Sequence, residues 1–333
     1  MGLPAIDSLL ASFRPDEEAR RPVPSLIPGY PVLRFRAMSS GDAAATIRQS
    51  PSGPSSLTLL RQGISEILSR RRLIRYLVQA DMKKRGTDTA LGNLWWILDP
   101  LLQLLVYWIF ITIIAKRPAP DYPLFIFAAI VPWKWFSAVV TDATTCVVGA
   151  ERLIRQIAFP KLVLPLSVST AGVVGFLWSL VPLAGLLLIY HDRVSIMLVW
   201  IPVIAVVQFV FTVAMAVLVS AANVFFRDLG NALGHVLRLW WFLSPGLYSL
   251  DNLRDVDVVQ RHPIIADLFS LNPFAILFEA YRAVIYGVSA GPQPSAHPPD
   301  VVALSLLLLA SVLLLGLFIT FFKRVEPEFA KVL

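Results

Sequence analysis

Between residues 97 and 322 the chain alternates long apolar runs with short polar breaks, and the runs have the length that crosses a bilayer. A span needs about 20 mostly apolar residues to bridge a hydrocarbon core ~30 Å thick. Five stretches meet that measure, at about 97–115, 122–142, 163–190, 196–222 and 301–322. A sixth, about 232–250, meets it once Arg238 is placed near its cytoplasmic end. Upstream the pattern changes. Leu57, Leu60, Ile64, Ile67, Leu68, Ile74, Leu77 and Val78 recur at helical spacing on one face, while Arg61, Glu66, Arg70, Arg72, Arg75 and Gln79 take the other. This predicts an amphipathic helix over 57–85, basic on its polar side, that lies in the membrane interface instead of crossing it. The chain then turns at Arg85-Gly86 and rises through Trp95 and Trp96, whose amphipathic rings favour the interface, into a span opened by Asp99-Pro100.

Composition agrees with lipid as solvent: 56% of residues are hydrophobic and 15% charged, against about 25% charged in soluble domains, and the mean hydropathy is +0.68. The single cysteine, Cys146, excludes a disulfide or a Cys-ligated cluster within one chain. The net charge of +7 is informative through its distribution. With the amino end inside, sixteen cationic residues fall on the cytoplasmic side: Arg61, Arg70, Arg71, Arg72, Arg75, Lys83, Lys84, Arg85, Arg152, Arg155, Lys161, Arg227, Arg238, Lys323, Arg324 and Lys331. Six fall outside, namely Lys116, Arg117, Arg193, Arg254, Arg261 and Arg282. The positive-inside rule then places both termini in the cytoplasm.

Two regions depart from this regularity. Residues 1–56 carry eight prolines amid Arg, Ser and Ala and no apolar signal-peptide core, which reads as a flexible cytoplasmic tail. Within 262–290, an apolar stretch is interrupted by Asp267, Asn272-Pro273, Glu279 and Arg282, which suits re-entrant helices better than a span. A full seventh span there would carry Lys323 and Arg324 outside, against the charge rule. The expected fold is therefore an all-α polytopic membrane protein. It has six transmembrane helices over 86–325, an amphipathic interfacial helix before the first, re-entrant helices before the last, and a cytoplasmic tail at 326–333.

RYLVQADMKKRGTDTALGNLWWILDPLLQLLVY (75–107) resembles the start of the membrane subunits of type-2 ABC exporters for polysaccharides: O-antigen, capsule, teichoic acid and cell-wall galactan. FPKLVLPLS (159–167), NVFFRDLGN (223–231), SPGLYSL (244–250) and LNPFAILFEAYRAVIYG (271–287) are similar to that family at its third span, its loop between spans four and five, the outer end of span five, and its paired re-entrant helices. Together the matches cover residues 70 to 325. Gly86-Thr87-Asp88 stands where the family more often has a Tyr-containing polar run, and the Pro-rich tail is extra.

The resemblance implies a homodimeric pore, two separate nucleotide-binding ATPase subunits, a lipid-linked glycan as cargo, a place in the cytoplasmic (inner) membrane, and no nucleic acid. The residues agree on the energy source. None of the seven lysines follows a glycine, so the phosphate-cradling Gly-x-x-x-x-Gly-Lys-Ser/Thr is absent; no cofactor is expected here, ATP and Mg being bound by the partner. Asp99, Asp142 and Arg238 read as lying near span ends and Lys134 near the outer side of span two, so no central carboxylate chain suggests an ion-driven carrier.

Candidate sites follow. Glu151, Arg152, Leu153, Ile154 and Arg155 form a short cytoplasmic helical piece with two apolar anchors; in the family this position is the coupling helix that fits a groove on the ATPase. Lys83, Lys84 and Arg85 have the charge to receive a lipid phosphate. Trp96, Tyr107 and Tyr248 are candidates to line the pore, since sugar rings stack on aromatic faces. Glu279 and Arg282, three apart on one helix, form a candidate re-entrant ion pair. Asp255-x-Asp257 falls on the outer face, away from nucleotide sugars, and the four histidines show no ligand spacing. A small-molecule or lipid exporter of the same type, and a stand-alone secondary transporter, remain as alternatives.

Overall fold

The computed structural model describes residues 55–87, 91–114, 121–157, 159–249, 257–261, 264, 269–287 and 296–332; the expected tail over 1–56 lies outside them except for its last two residues. All regular elements among these residues are helices. In chain order they are α1 (Ser56–Ser69), α2 (Arg71–Thr87), α3 (Trp95–Ile109, continued by a π-helical turn over Phe110–Ile114) and α4 (Tyr122–Gly149). Then come α5 (Glu151–Gln156), α6 (Val163–Ile189), α7 (Ile201–Phe225), α8 (Leu229–Leu243), α9 (Asp257–Arg261), α10 (Pro273–Ile285) and α11 (Val301–Val332). Five stretches are long and apolar enough to cross a membrane: Trp95–Ile113, Tyr122–Gly149, Val163–Ile189, Ile196–Phe225 and Val301–Phe329.

Burial separates them into two kinds. α4 and α7 are mostly enclosed by protein, whereas α3, α6 and α11 keep most of their apolar surface open. Around the enclosed pair sits an aromatic core that links α4, α7, α8 and α10. Phe274 packs edge-on against Trp133 and Phe136 at centroid distances of 4.8 and 4.7 Å, and Trp241 lies 5.5 Å from Trp133. Such edge-to-face pairs add about 0.5–1.5 kcal/mol each beyond area burial. The fully buried amide of Gln208 on α7 donates to the Pro132 carbonyl of α4 at 2.7 Å.

The chain between Leu229 and Tyr248 differs from the regular span expected at 232–250. α8 has 15 residues, about 22 Å at 1.5 Å per residue, less than the ~30 Å hydrocarbon thickness. It ends because Pro245 disfavours helical backbone at the residue before it, and Ser244 is extended, with ψ at 147°. The chain then turns, with Gly246 N–H on Ser244 O at 2.7 Å, and continues to the end of the bundle where α4 begins: the Tyr122 hydroxyl donates to Leu247 O at 2.9 Å. α10 returns from part-way along. Its N-cap Asn272 accepts from Phe274 N–H and Trp240 Nε1 and donates to Ser244 Oγ, and its last turn reaches the same end as Tyr122.

Two arginines tie that end together. Arg282, 3% exposed, donates to Gly246 O (2.6 Å), Tyr248 O (3.1 Å) and Phe125 O (3.4 Å) and stacks over the Phe125 ring. Arg193 pairs with Asp121 at 2.9 Å and donates to Tyr286 O at 2.7 Å. At the opposite end α11 continues to Val332, so most of the expected tail at 326–333 is helical, anchored by the fully buried Phe329.

Arg282 is thus an organiser of three segments, and its partner Glu279 is a looser one, 3.6 Å away with its side chain 42% exposed. Replacing Arg282 with Met takes the arginine donors from the non-helical Gly246 and Tyr248 carbonyls, at about 1–3 kcal/mol each. The thermal midpoint of the detergent-solubilised protein should fall sharply in Arg282→Met and barely in Glu279→Gln. Equal falls would show that the pair, not the carbonyl contacts, holds this end.

Candidate functional site

At the end of the bundle opposite Arg282, α4 passes through one residue, Ala150, into the six-residue α5. The turn is closed by Ile154 N–H on Ala150 O at 2.9 Å, and Arg155 reaches back to Glu151 at 3.0 Å. The structure divides the two expected apolar anchors. Ile154 is 8% exposed and joins the apolar cluster of Val147, Leu162 and Phe322, which fixes α5 to the bundle. Leu153 points outward, and the second exposed apolar side chain is Ile157, 56% exposed. Arg152 and Arg155 are exposed beside them. The free face of α5 therefore combines two aliphatic side chains with two guanidinium groups, a surface suited to a groove on another protein.

Four charges just behind α5 form a network that sequence periodicity does not reveal. Lys323 Nζ on α11 donates to both carboxylate oxygens of Glu66 on α1 (2.9 and 2.7 Å) and to Glu326 at 2.6 Å. Glu326 in turn accepts from Lys161 N–H at 2.9 Å, with the Lys161 ammonium at 4.0 Å. The Lys323 side chain is 6% exposed and Glu326 10%. Two lysines and two glutamates balance, so burial is tolerable. The network joins three segments, namely α1, the segment leaving α5, and α11. Gly63 allows the first contact, since a Cβ there would stand 2.7 Å from Ile319 Cγ2. The amphipathic α1 accordingly packs across α11 with Leu59 buried and Leu57, Ile64 and Leu68 exposed.

A protein of Myxococcus xanthus named O-antigen export system permease protein RfbA is 31% identical over 268 residues, covering 80% of this chain and 98% of the relative. The chain belongs to the O-antigen export permease family. Two proteins of the same name from Klebsiella pneumoniae are 27% identical over 220 residues, 64% of this chain and 85% of theirs, and 24% identical over 262 residues, 78% and 95%. No family model matches the chain. The permease is thus a multi-pass membrane subunit of a type-2 ABC exporter, and an ATPase partner follows from that membership.

The other candidate residues of the permease lie in separate places. Lys83 is exposed on the last turns of α2, which packs against α6; the side chains of Lys84 and Arg85 lie outside the described residues. Trp96 faces a cavity between α3, α4 and α6. Tyr107 stacks on the buried Trp241 at 5.9 Å and accepts from Gln103, so its ring belongs to the α3–α8 contact. Tyr248 is half-buried, its hydroxyl donating to Phe242 O at 3.4 Å. Trp96 therefore shares no surface with the other two among the described residues. Asp99 and Lys134, expected near opposite ends of their spans, meet at 2.6 Å.

These placements separate two kinds of substitution at the α5 end. Leu153→Asp with Ile157→Asp should leave the permease inserted and stable yet abolish its stimulation of the partner's ATPase. Ile154→Asp should lower the yield of folded protein, since it buries a carboxylate among Val147 and Leu162. Normal stimulation by the first variant would remove α5 from the ATPase interface. Lys323→Met leaves buried carboxylates uncompensated and should cost about 3–5 kcal/mol, whereas removing Glu66 together with Lys323 should cost less than Lys323→Met alone. Unfolding midpoints of the two variants check the ordering.

Proposed function

We propose that two copies of this chain form the pore of an ABC exporter that carries a lipid-linked polysaccharide, O-antigen or a related cell-surface glycan, across the cytoplasmic membrane. The observation that carries this reading is the 31% identity along 98% of a protein named as an O-antigen export permease. The α5 face supports it from physics, because two exposed aliphatic side chains flanked by arginines need a protein partner. Two ATPase subunits dock there, bind ATP and Mg, and supply the energy.

In this reading the chain crosses the membrane six times with both termini in the cytoplasm. Support comes from the sharing of ends. Asp121, Arg193, Leu247 and Tyr286 meet at one end of the helices, while α5, Lys161 and Lys323 gather at the other. α8 with residues 244–248 then makes the fifth crossing as a short helix plus non-helical chain. α10 is re-entrant, entering to the depth of Trp240 and returning to the outer end. α1 and α2 lie in the cytoplasmic interface, basic side toward anionic lipid.

The glycan's lipid-pyrophosphate end enters from the cytoplasmic leaflet near Lys83, Lys84 and Arg85, and the polymer is threaded outward past aromatic rings, Trp96, Tyr107 and Tyr248 among them. A conduit for a polymer needs many weak contacts, because a tight site would stop movement. ATP-driven closure of the partner reaches the pore through α5.

The reading is tested in proteoliposomes. Permease co-reconstituted with the ATPase from its own operon should move lipid-linked O-antigen to the opposite leaflet only when ATP is supplied, and permease alone should move nothing. Transport by the permease alone down a gradient would instead establish a secondary transporter.

A further inference from the structure

The Asp99–Lys134 ion pair stands in an unusual place for two charges. Lys134 lies twelve residues from the Tyr122 end of α4 and fifteen from Gly149. Gly175, on the facing wall, is twelve residues from the Val163 end of α6 and fourteen from Ile189. The 28-residue α4 is about 42 Å long, some 12 Å more than the hydrocarbon core. Even if that whole excess projected from the Tyr122 end, Lys134, about 18 Å from that end, would stay about 6 Å inside the apolar layer. The pair is nevertheless open: the Asp99 side chain is 58% exposed and Lys134 29%. Charges at that depth face water, protein or a ligand, not lipid tails.

They open onto a cavity of about 310 Å³ between α3, α4 and α6, at the small end of the ~300–1,000 Å³ range of ligand sites. Its walls combine two chemistries. Trp95 and Trp96 bring two indoles to it, and Asp99, Lys134, Thr141 and Asp142 bring acceptors and donors. α4 and α6 approach closely in this wall because Gly172 carries no side chain: a Cβ there would lie 2.1 Å from Val139 Cγ2 and 3.3 Å from Trp135 Nε1. That Trp135 indole N–H, buried in the same wall, has no hydrogen-bond acceptor among the described residues. Flat aromatic faces beside hydrogen-bonding charges are what a pyranose ring requires, since its C–H faces stack and its hydroxyls both donate and accept.

We propose that this cavity is a membrane-embedded station for one sugar ring of the glycan in transit, stacked on Trp95 and Trp96 and hydrogen-bonded by Asp99 and Lys134. The proposal rests on the export reading and adds to it a location and a substrate class. The ion pair keeps both groups satisfied when the station is empty, and each has lone pairs or protons left for a hydroxyl. Its exposure keeps binding weak enough for the polymer to advance.

The test replaces Cys146 with serine and places one reporter thiol at Ala138, an exposed residue of the cavity wall. In membranes holding the whole permease–ATPase complex, a cationic, water-soluble methanethiosulfonate should modify Ala138→Cys. Delipidated O-antigen chain from the host, added at twice its Kd, should slow that modification about threefold by occupancy alone. The protection should vanish in Lys134→Met and in Trp96→Ala, each combined with the reporter. A thiol that is never modified, modification that the glycan does not slow, or protection that survives both substitutions would each overturn the station. The same strain reports O-antigen at the cell surface. Surface glycan without protection sinks the station alone, whereas surface glycan that persists when the permease is deleted sinks the export reading itself.

Discussion

A charged side chain inside an apolar bundle has to be matched by other protein groups, because the surrounding hydrocarbon offers neither hydrogen bonds nor a high dielectric. This chain meets that requirement at three levels, and the way it does so sets what each level can do. At the Tyr122 end Arg282 is spent on carbonyls, which converts one guanidinium into a fastener for Gly246, Tyr248 and Phe125. At the α5 end Lys323 is spent on two carboxylates from different segments. Halfway along, Asp99 and Lys134 satisfy each other and remain open. The first two arrangements are closed and therefore hold structure. The third is open and therefore available.

The helices themselves follow from hydropathy. Five spans stand where a 20-residue apolar window puts them, since that property is local to the sequence. What the window misses is length and register. α4 and α11 run past the expected ends at 142 and 322 because Val147 and Phe329 are buried in an apolar cluster beneath the interface, a tertiary effect invisible to a hydropathy count. α8 stops short because Pro245 governs the backbone before it, a cue present in the sequence but outweighed there by the apolar run that follows Arg238. The aromatic residues show the same limit. Trp240 and Trp241 look like an interfacial belt or a pore lining, yet Trp241 is 3% exposed and packs against Trp133 and Phe278.

The site was legible in part for a related reason. The position of α5 between two spans and its mix of aliphatic and cationic residues can be read along the chain. Which aliphatic residue faces inward depends on the angle at which α5 leaves α4, so Leu153 and Ile154 look alike in sequence and are opposite in space. The ionic contacts are harder still. Glu66 and Lys323 are separated by 257 positions, and no local period connects them. Lys134 offered the best unread signal: a lysine deep within an apolar run of 28 residues requires an anion nearby, although the one it meets, Asp99 on the preceding span, is farther in sequence than Asp142 or Asp121.

These contacts also constrain how movement at the ATPase face would reach the pore on the export reading. α5 joins α4 through a single residue, so a displacement of α5 acts on a helix that runs unbroken to Tyr122. On that path it passes Lys134 at midlength, beside the cavity. A second connection leaves α5 through Lys161 to Glu326, and from there through Lys323 to Glu66 on α1. Push on α5 and both the cavity wall and α1 are loaded together, one through a rigid helix and the other through charges that cannot separate without leaving a buried ion unmatched. The stiffness of the second route comes from that penalty, which is why burial of Lys323 matters more to it than the count of its hydrogen bonds.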